Sequence, residues 1–242
     1  MKVVIAEKPS VARDLARVMG ASTARDGYIE GNGYAFTYAF GHLVQLCTPQ
    51  AYGYSSWSIS NLPIIPDQFA LEVKKVKRDG KTSDDQGALK QLGIIRELLK
   101  NASEIIVATD AGREGELIFR NIYQFLKCEL PFKRLWISSQ TDKAIREGFQ
   151  KLKDGSEYDS LYMSAKSRSE SDWLIGINAT QALTLAAGNR GLLSLGRVQT
   201  PTLAMICARY LEHKNFKPQA FYKIQAGFEK TGISFRAVSD KI

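Results

Sequence analysis

The sequence has few of the features that mark a secreted, metal-stapled or membrane-spanning chain. Its three cysteines, Cys47, Cys128 and Cys207, stand apart with no C-x-x-C spacing. Neither a zinc site nor a disulfide framework is indicated, and a reducing, cytoplasmic compartment fits best. Apolar runs are short: none approaches the roughly 18 residues that a membrane-spanning helix needs. The opening Met1-Lys2-Val3-Val4-Ile5-Ala6 is interrupted by Glu7 and Lys8 before it reaches the length of a signal-peptide core. There is no internal repeat and no low-complexity tract. Acidic residues are in deficit, 25 Asp plus Glu against 33 Lys plus Arg, which leaves a net charge of +8 over 242 residues. Such a surface suits a polyanion, and on charge alone an ordinary basic soluble protein stands equally open.

Against that basic background, one acidic cluster stands out. The stretch Ile105-Ile106-Val107-Ala108-Thr109-Asp110-Ala111-Gly112-Arg113-Glu114-Gly115-Glu116 carries a short apolar run into a turn with three carboxylates and an arginine. The run reads as a buried strand bounded by turn signals. Its acids therefore fall at a carboxyl end, where open α/β sheets place their ligand crevices. Carboxylates crowded together repel unless a cation lies between them, and a hard divalent ion such as magnesium suits oxygen donors. A plain charged helix N-terminus accounts for Glu114 and Glu116 but leaves Asp110, the two glycines and Arg113 unexplained. Glu7-Lys8-Pro9-Ser10 follows the first strand in the same way. Alone it is an ordinary solvated pair, but if the two strands are neighbours, Glu7 joins Asp110 and Glu114 at one edge.

The order of elements reads as α/β. Strands are expected over residues 3–6, 71–76, 104–108 and 134–137, with several short strands between 28 and 46. Helices are expected over 9–19, 87–100, 114–127 and 142–152, the first with Pro9 in its opening turn and Gly20 as its stop. Residues 49–66 read as an irregular excursion with Trp57 as a possible anchor, and 77–86 as an exposed polar loop. This alternation predicts a mainly parallel sheet flanked by helices. After residue 155 the pattern becomes helical, with one long or two abutting helices over 158–187 and another over 198–213. It returns to strand alternation over 221–238. The expected divisions are 1–155, 156–215 and an incomplete third segment, 216–242. Lys166 and Arg168, followed by Asn178 and Gln181, fall in places at spacings of three to four residues that could line one helix face, there to grip phosphates or simply meet solvent. Trp173, beside Leu174 and Ile175, reads as core, and Trp57 is the better candidate for stacking on a base.

Taken together, Ile5-Ala6-Glu7-Lys8-Pro9-Ser10 and Ala108-Thr109-Asp110-Ala111-Gly112-Arg113-Glu114-Gly115-Glu116 resemble the Toprim domain of type IA DNA topoisomerases, most closely the topoisomerase III branch. The segment from Ser167 to Ala182 resembles that family's helical DNA-gripping segment, and Leu195-Gly196-Arg197-Val198-Gln199-Thr200-Pro201-Thr202-Leu203 resembles its glycine-hinged DNA-contacting segment. The resemblance implies strand passage through a transient 5′-phosphotyrosine ester in single-stranded DNA. Glu7, Asp110 and Glu114 would hold Mg2+, and Lys8 would join Glu7 in the catalytic centre by contacting the scissile phosphate. Arg113, Arg168, Asp172, Asn178, Gln181, Ser194, Gly196, Arg197 and Gln199 would contact DNA. A monomer in the bacterial cytosol is implied.

Two departures follow. The family shows Asp-x-Asp where this chain has Asp110 and Gly112, so the metal should bind more weakly or lean on Glu116, water or phosphate. None of the ten tyrosines precedes Pro-Arg, the family's nucleophile context. The expectation is an N-terminal portion of a longer enzyme that binds single strands weakly and forms no covalent adduct alone. Two rivals share the carboxylate pattern: a Toprim nuclease or primase, and a non-enzymatic single-strand-binding module.

Overall fold

The computed structural model describes residues 1–78, 80–188 and 190–240. Its first unit, Met1–Gly196, opens with β1 (Lys2–Ala6) and α1 (Pro9–Val18), then β2 (Thr23–Arg25), β3 (Tyr28–Gly31), β4 (Tyr34–Tyr38) and β5 (Val44–Leu46). After two short 3-10 turns come β6 (Leu71–Val73), β7 (Lys75–Arg78), β8 (Lys81–Asp84), α2 (Gln86–Lys100) and β9 (Glu104–Ala108). The unit continues with α3 (Arg113–Phe125), β10 (Phe132–Arg134), α4 (Asp142–Gln150), β11 (Lys153–Asp154) and α5 (Asp159–Ala186).

Seven strands form one sheet in the order β11-β10-β9-β1-β4-β3-β2. The central four, β10, β9, β1 and β4, are parallel, and the flanking pairs are antiparallel. Burial explains the arrangement. Along β1, Val3 and Ile5 enter a core with Leu92 and Ile95 of α2 and Phe119 and Ile122 of α3. Val4 and Ala6 enter a second core with Val11 and Leu15 of α1 and Ile145 of α4. That is the period-two alternation of a strand covered on both faces. Each such side chain contributes about 1.5–3 kcal/mol on burial, so a one-residue slip of β1 is strongly disfavoured. The mixed, mostly parallel sheet with helices on both faces is the expected α/β class.

Three expected elements differ, the first being the strand over 71–76, which is split into β6, paired with β5, and β7, paired with β8. Residues 77–86 are not a plain loop: β7 and β8 pair as an antiparallel hairpin, Lys75 opposite Asp84. Asp85 then caps α2 by accepting from the Gly87 and Ala88 N–H groups. The hairpin carries polar residues on both sides, so no hydrophobic period advertises it; residue 79 within it lies outside the described residues. The strand expected over 134–137 is instead Phe132–Arg134. Leu135 is core, its N–H still bonded to the Val107 carbonyl at 2.9 Å, and with Ile137 it also lines a cleft.

The long helix α5 is a single element of 28 residues. Trp173 fastens it to the excursion, donating from Nε1 to the Cys47 carbonyl at 2.9 Å and packing edge-on against Tyr52 and Phe69. The expectation of a core residue is met only in part, since Trp173 is packed but half-buried, while Trp57 is exposed. The second unit, Arg197–Ile242, contains α6 (Gln199–Lys214) and an antiparallel hairpin of β12 (Gln225–Lys230) and β13 (Ile233–Val238). Phe228 and Phe235 stack across that hairpin at 4.9 Å.

Candidate active site

The parallel pairing of β1 with β9 sets Ala6 opposite Ala108, so the next residues of both strands leave the sheet side by side. Glu7 Oε2 accepts the Asp110 N–H at 3.3 Å. Lys8 Nζ lies 3.5 Å from Asp110 Oδ2, and both side chains are more than half exposed. The pair is therefore solvent-screened and available to a ligand. β4, parallel to β1 on its other side, adds a third strand end. Ala39 N–H donates to the Ala6 carbonyl at 2.9 Å and Gly41 N–H to the Glu7 carbonyl at 3.4 Å. This brings His42 to the edge, its Nε2 3.9 Å from Glu114 Oε2. His42 was not among the residues expected here. The signal was its position a few residues beyond an aromatic strand, at the same carboxyl end.

Beneath the edge lies a buried network that fixes Asp110. Arg134 is fully buried, and its Nε meets Glu116 Oε2 at 3.0 Å. Its two terminal nitrogens donate to the carbonyls of Val107, Thr109, Leu135 and, at 2.7 Å, Asp110. Burial pushes the Arg134 guanidinium below its ordinary range, and the Glu116 carboxylate opposes that shift. Arg120 takes the other Glu116 oxygen at 2.9 Å and reaches Asp159 at the start of α5 at 2.7 Å. Glu116 is thus no auxiliary metal ligand. It is fully buried and held between two arginines. Gly115 is required here by close approach: a Cβ at this position would collide with the Asp110 carbonyl oxygen. Thr109 Oγ1 closes the turn by donating to the Gly115 carbonyl at 2.7 Å.

Two clefts flank the acidic edge. One, about 400 Å³, lies against α1 and the segment 135–140, with Asp110 on its wall. The other, about 210 Å³, brings together His42, Glu114, Arg168 and Asp172. Arg168 Nε stands 3.8 Å from Asp172 Oδ2. Arg113 is exposed at the start of α3. Asn178 and Gln181 do not form the outward-facing pair expected of them. The Asn178 amide accepts the Ile64 N–H at 2.6 Å and donates to the Ile64 and Leu174 carbonyls at 2.9 Å, so it ties the excursion to α5. Gln181 is only 3% exposed. Ser194 and Gly196 follow Leu193 and Leu195, whose N–H groups bond to the Thr184 and Thr180 hydroxyls of α5. Arg197 and Gln199 are exposed residues of the second unit.

Glu7, Asp110 and Glu114 are oxygen donors of the type a hard cation takes. Among the described residues, however, no three His, Cys, Asp or Glu side chains converge closely enough to form a cage. The donor set fits an open site completed by a ligand's oxygens and water, not a closed one.

The family described as "Toprim domain" matches residues 2–140, and the family described as "DNA topoisomerase" matches residues 156–241. The chain is 52% identical over 228 residues to DNA topoisomerase 3 of Bacillus cereus, covering 93% of this chain and 30% of that relative. It is 47% identical over 243 residues to DNA topoisomerase 3 of Bacillus subtilis, covering 99% of this chain and 32% of that relative. The chain therefore spans about a third of the length of these curated relatives. Full-length topoisomerase I from Thermotoga maritima shares the fold, with a TM-score of 0.58 at 21% identity over 99% of this chain and 35% of that one. The chain belongs to the Toprim family, and its similarity to the DNA topoisomerase 3 relatives runs over nearly its whole length.

Proposed function

We propose that the acidic edge holds a single DNA strand for cleavage, passage and rejoining through a 5′-phosphotyrosine intermediate. One observation carries the reading: β1 and β9 end side by side, which puts Glu7, Lys8 and Asp110 in mutual contact. Beside them lies the cleft that joins Glu114 to Arg168 and Asp172. Lys8 supplies positive charge where charge develops on a transferring phosphoryl group. The Toprim family implies a divalent metal, which we assign as Mg2+ held by Glu7, Asp110 and Glu114. When bound, it neutralises and orients phosphate oxygens. With Gly112 in place of a further acid, phosphate and water complete its shell.

The nucleophile is read as a tyrosine outside these 242 residues, since none of the ten here precedes Pro-Arg. Arg113, Arg168 and Asp172 meet the strand next to the acidic edge, and Ser194, Gly196, Arg197 and Gln199 extend the grip along the chain. Asn178 and Gln181 support the helix instead of reaching the strand. The chain acts as a monomer in the bacterial cytosol; among its described residues no helix is long and apolar enough to cross a membrane. The division into a Toprim segment, 1–155, a helical segment, 156–215, and opening strands, 216–242, is supported at its first boundary by the gap between the two family matches.

The reading is tested by fluorescence anisotropy of a labelled single-stranded oligonucleotide, with and without Mg2+. Binding strengthened by Mg2+, and insensitive to Mg2+ in Asp110→Asn, is the expected result. Affinity that ignores the cation throughout points to a metal-independent binding module. Hydrolysis or extension of the labelled strand transfers the reading to a Toprim nuclease or primase.

A further inference from the structure

We infer that the 400 Å³ cleft on the α1 side of Asp110 receives one nucleobase of the strand held at the acidic edge. The inference rests on the proposed nucleic-acid function and names the part of the ligand that this side of the site takes. The cleft volume falls within the range of small-ligand pockets. Its floor is apolar, built from Val11 and Leu15 of α1 with Leu135 and Ile137, and its rim is polar, with Ser138 and Gln140 beside Asp110. A nucleobase combines those properties, with apolar faces and hydrogen-bonding edges.

Charge decides between base and backbone. No Lys or Arg is among the residues lining this cleft, and its one charged group is the Asp110 carboxylate. Phosphate belongs at the edge, beside Lys8 and the cation assigned to Asp110, because no cationic side chain lines the wall to receive it deeper in the cleft. The cations lie just beyond it: Lys8, 3.5 Å from Asp110 Oδ2 at the rim, and Arg168 in the other cleft. A strand crossing the edge can set phosphate at Lys8 and turn the attached base into the uncharged hollow. One ring on the wall already has partners of its own. The Trp136 ring stacks on Tyr158 at 4.7 Å and 24°, with the Arg134 guanidinium 5.1 Å from its centroid. Trp136 is therefore committed to its own neighbours, and the base lies against the aliphatic floor. Placement outside the carboxyl ends of β9 and β10 agrees with the crevice rule for parallel sheets.

The test uses the 242-residue chain with Mg2+ and single-stranded oligonucleotides in which one abasic site is moved along the sequence, read by anisotropy. One position should prove base-dependent, its abasic version binding about tenfold more weakly for want of the base's apolar burial on the aliphatic floor. Ser138→Trp fills the cleft from its exposed rim and should remove that dependence, so that intact and abasic strands bind alike. Gln140→Phe fills it from a second exposed position and guards against a local effect of the first. Strand binding with no base-dependent position, or a dependence that survives both fillings, overturns the cleft assignment and leaves the nucleic-acid reading intact. No binding of any strand overturns both.

Discussion

Removing one partner of the Arg134–Glu116 pair should destabilise the first unit far more than a surface ion pair could. Both side chains are fully buried and 3.0 Å apart. In Arg134→Met, Glu116 keeps only Arg120, which is 13% exposed. The Val107 carbonyl retains the Leu135 N–H as a partner, but those of Thr109 and Asp110 lose the guanidinium that serves them. Breaking a buried pair typically costs about 3–5 kcal/mol, and each unsatisfied buried carbonyl about 1–3 kcal/mol. Because these contributions overlap, we expect a loss of about 4 kcal/mol, a large share of the roughly 5–15 kcal/mol available to a domain. Glu116→Gln should cost a similar amount: the amide oxygen can still accept from one arginine, but buried Arg134 loses its counter-charge. With Arg134 gone, the Glu116 charge has less to compensate. The double variant should therefore fall short of the summed losses by at least about 1 kcal/mol. Urea unfolding followed by circular dichroism gives all three values. A loss below about 1 kcal/mol for Arg134→Met, or strict additivity in the double variant, would show that the network does not hold the Asp110 turn as described.

Three further outcomes are expected. Gly115→Ala should lower the urea midpoint by an amount corresponding to about 1–3 kcal/mol, since its Cβ collides with the Asp110 carbonyl; a wild-type midpoint would refute the close-approach argument. Gly112→Asp should tighten Mg2+ binding in calorimetric titration: the backbone there is extended, and a Cβ meets nothing within 4 Å among the described residues. Unchanged or weaker affinity refutes it. Arg17 donates to both Asp142 oxygens, at 3.0 and 2.7 Å, and these bonds hold that carboxyl below its ordinary range. A lowered folded-state value contributes stability above the unfolded value of about 3.9 and loses it as pH falls through the folded value. Wild-type and Asp142→Asn midpoints should therefore differ slightly at neutral pH and converge once pH falls below the lowered folded-state value, whereas a gap constant across the acid range would refute the linkage.

Legibility of the fold followed hydrophobic period. Strands β1 and β9 and helices α1 and α2 sit within a residue or two of their expected bounds, because each buries an apolar run or stripe against the sheet. The β7–β8 hairpin was missed because its stability is local: backbone pairing and Asp85 capping leave no apolar alternation to read. The 134–137 strand was displaced because apolar residues serve two masters. Leu135 belongs to the core and, with Ile137, to the lining of a cleft, and composition alone does not separate a ladder from a cavity wall.

The site divided along a similar line. Glu7, Lys8 and Asp110 could be placed together because adjacency of two parallel strands converts sequence position into spatial position: once Ala6 faces Ala108, the residues that follow have little choice. Side-chain direction on a long helix is freer. Asn178 and Gln181 shared the spacing of Arg168, yet drift of the 3.6-residue period over ten or more positions turns them from the cleft toward the packed excursion and the buried face of α5. Glu116 shows the same limit over a shorter distance. Two residues beyond Glu114 on α3, it points away from its neighbour, into the core where Arg134 waits. Arg134 sits in a basic, apolar run with nothing in the sequence to mark it as buried. Its role follows from position alone: a strand end opposite Val107 leaves its side chain within reach of the turn that carries Asp110.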